Sequence, residues 1–221
     1  MLNPGDSDNA RLLDVIRELK HSTAQDIIIE GQFKGMPYEL LLITMRHSGD
    51  HELIRLLSRW RKQHEWWFPA QFNVTEEGTA KWLRNQVIDT PDRLLFMIRA
   101  GSEHLGHVGL FRFNLEEKNC EIDNIVRGEQ KIPGIMGDAI VNMMQWGKQV
   151  LGLRAYELQT FSDNRRSLAL YHRLGFTEVR RVPLIAVKSD DRVDWVDAPQ
   201  GHEGPVERYN VFMNLPDHSA I

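Results

Sequence analysis

Cysteine is almost absent from this sequence: Cys120 is the only one among 221 residues, which excludes an internal disulfide and a thiolate metal cluster. No apolar run approaches the roughly 20 residues that span a bilayer. The opening stretch MLNPGDSDNA holds neither a basic nor an apolar export segment. Basic residues are outnumbered, with 27 Lys and Arg against 31 Asp and Glu, which argues against a broad nucleic-acid surface. We therefore expect a cytoplasmic protein without a membrane or nucleic-acid partner.

What the sequence does contain is typical of a globular protein, with 42% hydrophobic and 26% charged residues. There are no repeats or low-complexity tracts. Adjacent strands predict an antiparallel meander, followed by a strand-helix-strand crossover, so the expected fold class is α/β with a largely antiparallel sheet. Apolar spacing and turn residues predict helices at 9–22, 50–67, 75–89, 134–152 and 164–174, and strands within 25–37 and at 38–48, 93–100, 105–113, 119–128, 154–162, from 176 onward and at 207–215.

The domain boundary is expected before residue 38. Residues 1–37 are interpreted as an N-terminal extension of one helix and a short strand, and residues 38–221 as the main domain. Its last strand should pair with the strand that begins at Phe176, as a closing hairpin. The segment between these two strands is interpreted as a charged turn and a Gly/Pro loop, which either covers a site or is simply exposed.

The stretch SDNRRSLALYHRLGF, residues 162–176, has the spacing Asn-x-x-Ser-x-x-x-Tyr-x-x-x-Gly-Phe. Asn164 or Asp163 suits a helix N-cap, and Gly175 suits a left-handed C-cap. Tyr171 falls on one helix face with the neighbouring leucines of the stretch. Taken alone, this stretch predicts only a short helix.

A second feature is the loop GEQKIPGIMGDA, residues 128–139, which leads from a strand into a long helix. Unpaired amides at such a helix start, together with the helix dipole, suit a phosphate, and Lys131 adds a cation. Pro133 has no N–H to donate, and Asp138 places an acid in the first turn. The amides that remain for an anion are those of Ile135, Met136, Gly137 and Asp138.

These two features, in this order along the chain, resemble the GCN5-related N-acetyltransferase (GNAT) family, and the resemblance covers roughly residues 38–185. The pyrophosphate loop of that family has the pattern Arg/Gln-x-x-Gly-x-Gly/Ala, which here falls on Lys131, Gly134 and Met136, the last in place of a small residue. The resemblance implies helices flanking a sheet whose two central parallel strands splay apart, and acetyl-CoA as cosubstrate without a metal. The residues that it implies for acetyl-CoA are Ile125, Val126, Lys131, Gly134, Ile135, Met136, Gly137, Asn164 and Ser167.

Acyl transfer to an amine needs a neutral amine, a polarised thioester carbonyl and a proton for the departing thiolate. By resemblance Tyr171 gives that proton, since a phenol with an ordinary pKa of about 10 is protonated at neutral pH. Glu121 and Asp123 alternate onto one face of their strand, where family members often use a glutamate as the base. The alternatives are a core aromatic for Tyr171, a plain N-cap for Asn164 and salt-bridge partners for the two carboxylates.

The acceptor amine is expected near RWRKQHEWWFPAQF, residues 59–72, because the first helix and the loop after it help to form the acceptor pocket in this family. Arg61, Trp66 and Trp67 belong to a cluster of cations and aromatic rings that suits an anionic, ring-containing ligand. The cluster modestly resembles bacterial acetyltransferases acting on nucleotide-linked amino sugars, and the alternative is an aromatic helix end packed on the sheet. A small-molecule amine is therefore the predicted acceptor, and a homodimer is left open as the assembly.

Other interpretations of the whole chain stay open at this point. They are a protein or peptide N-acetyltransferase, a non-catalytic acetyl-CoA-binding module and a protein-interaction domain that uses the HEWWFP surface. The histidine pairs whose spacing would suit metal ligands are His47/His51 and His104/His107. With no cysteine nearby, we expect all four to be surface or turn residues and expect no metal site.

Overall fold

A computed structural model describes residues 4–21 and 25–216 of the chain. Short 3-10 turns lie at Met45–His47 and Glu65–Trp67, and a π-helical turn, Leu83–Ile88, continues the third helix. The helices are α1 (Pro4–His21), α2 (His51–Gln63), α3 (Glu76–Trp82), α4 (Ile135–Leu151) and α5 (Arg165–Arg173). The strands are β1 (Ile28–Phe33), β2 (Met36–Leu42), β3 (Ala70–Phe72), β4 (Arg93–Ala100), β5 (Glu103–Asn114), β6 (Asn119–Arg127), β7 (Ala155–Phe161), β8 (Thr177–Ser189), β9 (Arg192–Asp197) and β10 (Arg208–Leu215).

All ten strands belong to one sheet, in the order β1-β2-β4-β5-β6-β7-β10-β8-β9-β3. Neighbouring strands run antiparallel except β6 and β7, which pair in parallel from Asn119–Glu121 to Ala155–Glu157 and then diverge. The predicted fold class, a mixed and largely antiparallel sheet with one splayed parallel pair, is confirmed. No helix in the described part of the chain combines the length and the apolarity that a membrane crossing requires.

Helices cover both faces of the central sheet. Successive side chains of β2 and of Ile43, which follows it, are buried alternately in two different clusters. Leu40 and Leu42 are buried in the cluster that also holds Ile140 of α4. Leu41 and Ile43 are buried in the opposite cluster, with residues of α2 such as Trp60. Because side chains alternate along a strand, both faces of β2 are apolar and both are packed.

The helix starts follow local capping chemistry. The Asp50 carboxylate accepts from the backbone N–H groups of residues 52 and 53 at 3.0 Å, and the Thr75 hydroxyl accepts from that of residue 78 at 3.0 Å. Asn164 caps α5 by accepting from the N–H of Ser167 at 3.3 Å. Gly175, after α5, has φ 91°, a left-handed conformation that glycine adopts without strain. The positions of Asn164 and Gly175 agree with the caps predicted from the sequence.

Other boundaries differ from the prediction. The strand expected at 38–48 ends at Leu42, and the helix expected at 50–67 ends at Gln63. Strands β3 and β9 were not predicted: β9 pairs with β8 and also with β3, which adds the segment after α2 to the sheet. A three-residue strand has no recognisable period, so its partner in space decides that it forms.

The segment before residue 38 contributes to the same sheet and core. Strand β1 pairs with β2 along its whole length, and Ile16 of α1 is buried against the cluster beneath them. The predicted first helix reached Ser22, which lies outside the described residues. The division into an extension and a domain stays a prediction, whereas the predicted pairing of β10 with β8 is present.

Candidate active site

A cavity of about 540 Å³ lies where β6 and β7 separate. Parallel pairing stops at Glu121 and Glu157, so the two strands face each other across a gap beyond that point. The walls are residues 121–127 of β6, the start of α4, the inner side of α5 and the segment 67–69. The gap therefore has an unpaired strand edge, which can pair with an extended ligand that carries amide groups.

A bulge in β6 accompanies the separation. His107 of β5 lies opposite Val126, and Gly109 lies opposite Asp123. Between these two pairs β5 has one residue and β6 has two. Strand β6 therefore carries one extra residue, and Asn124 there has φ 47°, in the left-handed region. A bulge bends its strand, and this one lies between Asp123 and Val126, shortly after Glu121, the last residue of β6 that pairs with β7.

The start of α4 forms the end of the cavity where an anion would bind. Gly134 takes the N-cap position with φ 99° and no side-chain cap, so the amides of the first turn are not covered by a capping side chain. The Asp138 carboxylate accepts from the hydroxyl of Tyr38 at 2.7 Å, so this acid is held by β2. The Ile135 and Gly137 amides donate to the carbonyls of residues 132 and 134, at 3.4 and 3.1 Å, so the helix dipole and the other amides of the first turn are what favour a phosphate.

The cations near this end are not the one predicted. Lys131 forms an ion pair with Glu103 at 2.6 Å and lines a different cavity. Arg166 and Arg173 of α5 do line the gap, are exposed, and have no ion pair within the described residues. Neither arginine belongs to the Asn-x-x-Ser-x-x-x-Tyr pattern, so both were missed, although their spacing of seven residues places them on one face of α5.

Tyr171 lies in the wall of the cavity with only 4% of its surface exposed. Its ring packs edge-on against Phe176, with 6.3 Å between ring centroids. Burial raises the pKa of the Tyr171 phenol to about 12, although the Ser167 hydroxyl one turn earlier opposes the rise. The phenol is therefore protonated at every pH at which the protein is expected to work.

The two predicted carboxylates both line the cavity but differ in their partners. Glu121 accepts hydrogen bonds on both oxygens, from Gln159 Nε2 at 2.6 Å and from Arg112 Nη1 at 2.9 Å. Asp123 Oδ2 accepts from Arg93 Nη2 at 2.9 Å. Asp123 Oδ1 is buried and has no hydrogen-bond partner in the described part of the chain.

Burial raises the pKa of the Asp123 carboxyl to about 6, and the nearby Arg93 limits the rise. A glycine opposite makes room for this carboxylate, because a Cβ at Gly109 would come within 2.6 Å of Asp123 Oδ1. A buried acid with such a pKa is ionised at neutral pH and regains a proton under mildly acidic conditions. These are the properties of a general base that works near neutrality.

The segment predicted to bind the acceptor is only partly in the cavity. Trp67 lines it, but Arg61 and Trp66 do not. The Arg61 guanidinium stacks on Phe68 at 3.8 Å and donates to the carbonyl of Ala70, and burial lowers its pKa to about 10. Arg61 is therefore a packed side chain that stabilises the segment after α2.

Arg208 was not predicted as a site residue, and it contacts the backbone of Trp66. It is 3% exposed, donates to Asp163 Oδ2 at 2.6 Å and to the Trp66 carbonyl at 3.3 Å, and lies against the rings of Phe161 and Trp195. A buried arginine enclosed by aromatic rings and paired with a carboxylate is a stable anchor. It fixes the loop after α2 to the C-terminal strand.

Of the remaining predicted residues, all but one line the cavity. Ile135 is buried in the core beneath the start of α4 and does not line the cavity. Polar side chains that were not predicted also line it, among them Arg93, Arg112, Gln159 and Asn210. The predicted residues that line it, besides those described above, are Ile125, Val126, Gly134, Met136, Gly137, Asn164 and Ser167.

One prediction about the histidines is wrong. His107 lies inside β5 and is 5% exposed, because both faces of this strand are packed, so it is neither a surface nor a turn residue. His51 is exposed, and His47 and His104 are half-buried. Among the residues that the structure describes, no group of three or more His, Cys, Asp or Glu side chains is arranged to hold a metal ion.

Comparisons with known proteins agree with this geometry. The model of the acetyltransferase (GNAT) domain matches residues 39–177, well over half of the chain. A comparison with curated protein sequences gave no match. Solved structures with similar folds include a probable GNAT acetyltransferase from Chromobacterium violaceum, with a TM-score of 0.63, 18% identity and 90% of both chains covered.

Two further similar structures have known substrates in their descriptions. The ribosomal L7/L12 alpha-N-protein acetyltransferase RimL has a TM-score of 0.63 and 14% identity, covering 89% of this chain and 97% of its own. Spermidine N-acetyltransferase from Vibrio cholerae, in complex with CoA and spermine, has a TM-score of 0.56 and 14% identity, covering 81% and 95%. At such identities the likeness is one of fold, and the family assignment comes from the domain match: the protein belongs to the GNAT acetyltransferase family and is an acyltransferase.

Proposed function

We propose that the protein transfers an acetyl group from acetyl-CoA to the primary amine of a small molecule. The observation that carries this proposal is the pairing of Asp123 and Tyr171 in one cavity, with pKa values of about 6 and about 12. One group is ionised and the other protonated at neutral pH, which matches a base and an acid acting at opposite ends of a transfer.

The residues around the gap fit acetyl-CoA. The unpaired edge of β6 at Ile125 and Val126 suits its amide-bearing arm, and the dipole and the Met136 amide at the start of α4 suit its pyrophosphate. Arg166 and Arg173, rather than Lys131, are the cations placed to bind its phosphates. When bound, acetyl-CoA supplies an activated acetyl thioester.

Asp123 is the better of the two candidate bases. Both oxygens of Glu121 already accept hydrogen bonds, whereas Oδ1 of Asp123 has none within the described residues. Asp123 would accept the proton of the incoming ammonium, and Arg93, 2.9 Å from Oδ2, would hold the carboxylate in place. Tyr171 would give its proton to the departing sulfur, whose own basicity rises in the same buried surroundings.

The acceptor end favours a small hydroxylated amine, for example an amino sugar. Arg112, Glu121, Gln159 and Asn210 form a row of hydrogen-bonded polar side chains across four strands. Trp67 adds an aromatic face at the same cavity. Planar polar groups beside an aromatic ring suit a ligand with hydroxyls on one side and C–H groups on the other.

The proposed acceptor does not include the nucleotide that the sequence resemblance suggested. It was expected from Arg61 as a phosphate ligand, but Arg61 is packed between Phe68 and Phe72 and does not line the cavity. The comparisons give no support to that branch of the family either. The homodimer and the cytoplasmic location stay predictions, and light scattering would test the first.

Release of free CoA thiol, measured with acetyl-CoA and a panel of amines, tests the proposal. The panel contains amino sugars, polyamines and peptides with free N-termini, and we expect turnover with amino sugars. Asn210→Ala should raise the acceptor KM and leave the acetyl-CoA KM unchanged. Asn214→Ala is the matched control, since it lies on the same strand but binds Thr177. Turnover with peptides alone would replace the small-molecule acceptor by a protein terminus.

A further inference from the structure

His107 is a buried polar residue of β5 that the reaction above does not use. Its Nδ1 lies 2.6 Å from the carbonyl oxygen of Asn124. A carbonyl only accepts hydrogen bonds, so Nδ1 must carry the proton in this contact. Burial lowers the pKa of His107 to about 4, so the ring is neutral at working pH and stays a single, defined donor.

This donor fills a gap in the hydrogen bonding of the sheet. The bulge places one extra residue on β6 between the pairs His107–Val126 and Gly109–Asp123. An extra residue is left without a ladder partner, and a buried backbone carbonyl without a partner is costly. The imidazole N–H of His107 supplies that partner to the Asn124 carbonyl from the opposing strand.

The surrounding residues hold the ring and the strand close together. A Cβ at Gly106 would come within 2.3 Å of the Val126 carbonyl oxygen, so only glycine fits there. The Trp60 ring packs near the His107 ring, with 6.1 Å between centroids. At the far end of the bulge, His64 Nε2 lies 2.8 Å from the carbonyl oxygen of Arg127. Two histidines thus hold the same strand where it leaves β7.

We propose that His107 is a positioning residue for the transfer reaction: its Nδ1–H fixes the bulge of β6, and with it the Asp123 carboxylate on one side and the Ile125 and Val126 backbone on the other. This inference rests on the proposed function, because Asp123 and the β6 edge are the groups that it positions. The bulge directly follows Asp123 in the chain, so a relaxed bulge displaces the base from the acceptor.

The expected effect is larger on turnover than on cofactor binding. Misplacing a catalytic group by about 1 Å costs about 10²-fold in rate. The phosphate-binding groups proposed for acetyl-CoA lie on α4 and α5, away from the bulge, and only its arm is proposed to pair with Ile125 and Val126 beside it. His107→Leu should therefore lower kcat about 10²-fold and raise the dissociation constant for CoA by a much smaller factor.

Two substitutions distinguish the loss of the N–H donor from the loss of the volume of the imidazole side chain. His107→Asn carries an N–H donor on the same Cγ that bears Nδ1, so it should recover most of kcat, whereas His107→Gln places the donor one bond further out and should not. Tyr156→Phe is the control for lost stability, because the Tyr156 hydroxyl is a buried donor to the Met144 carbonyl at 2.5 Å. It should lower the Tm without changing kcat.

The measurements are kcat by thiol release, CoA affinity by calorimetry, and Tm. Unchanged kcat in His107→Leu, or equal kcat loss in the Asn and Gln variants, would overturn the positioning role, and so would a kcat loss in Tyr156→Phe as large as that in His107→Leu. Nitrogen-15 NMR of the wild-type imidazole adds a readout without turnover: we expect protonation at Nδ1, and a proton on Nε2 alone refutes the contact. A wild type that releases no CoA with any amine would instead sink the proposed function.

Discussion

Replacing Asp123 with asparagine removes the carboxylate that the proposed reaction uses as its base and keeps the size of the side chain. Burial raises the pKa of this carboxyl from 3.8 to about 6. With that value, about one-eleventh of the enzyme has an ionised base at pH 5, about half at pH 6 and about ten-elevenths at pH 7. Between pH 5 and 7, kcat/KM should follow these fractions.

The same ionisation should affect stability in the opposite direction. Because the folded pKa of Asp123 lies above the unfolded value of 3.8, the folded state holds more protons than the unfolded state between pH 3.8 and about 6. The free energy of unfolding contributed by Asp123 therefore falls as pH rises through this window and is level above it. A rise from 3.8 to about 6, at about 1.4 kcal/mol per unit, corresponds to about 3 kcal/mol.

Both effects are measured on wild type and Asp123→Asn. Initial rates of thiol release from pH 5 to 8 give the activity profile, and urea unfolding at pH 4 and 7 gives the stability difference. The variant should lose about 10²–10⁴-fold in kcat and lose the pH-dependent stability difference. Glu121→Gln is the comparison variant and should keep an acid limb, with its midpoint moved below that of the wild type, because the Glu121 charge contributes to the raised pKa of Asp123. The reasoning is refuted if Asp123→Asn keeps both the wild-type rate and the wild-type acid limb.

Three further variants test other parts of the site. Tyr171→Phe should lower kcat about 10²–10⁴-fold and leave CoA affinity and Tm nearly unchanged; an equal kcat would remove the phenol as the acid. Arg166→Ala should raise the CoA dissociation constant about tenfold in calorimetry run with excess chelator, and no heat from wild type would contradict the anion site. Arg61→Ala should lower the free energy of unfolding by about 1–2 kcal/mol, and a raised acceptor KM without that loss would return Arg61 to the acceptor site.

The helices and their caps were predictable because their signals are local. Asp50, Thr75 and Asn164 each cap a helix by bonding to amides two or three residues further along, a geometry that sequence spacing alone specifies. The glycine-punctuated loop before α4 and the tyrosine on α5 likewise lie within short stretches. Their order along the chain was enough to indicate the family and, with it, the sheet.

The details of the site depend on residues that are distant in the sequence. Lys131 has the spacing of a phosphate ligand, but Glu103 on a neighbouring hairpin pairs with it. The cluster around Arg61 has the composition of an acceptor site, but the Arg61 guanidinium packs against the rings of Phe68 and Phe72. In both cases the charged side chain contacts a partner within the fold, and the local pattern does not reveal that partner.

The sequence by itself determined the fold class, the capped helices and the two stretches that line one cavity, since these follow from short-range spacing. Only the tertiary structure distinguishes the two candidate bases, of which we propose Asp123. Glu121 and Asp123 are equivalent in the sequence, but Gln159 and Arg112 occupy both oxygens of Glu121, while burial beside Gly109 leaves Asp123 with a raised pKa and a free oxygen. Burial and partners come from several strands at once, and a sequence read along one strand does not contain them.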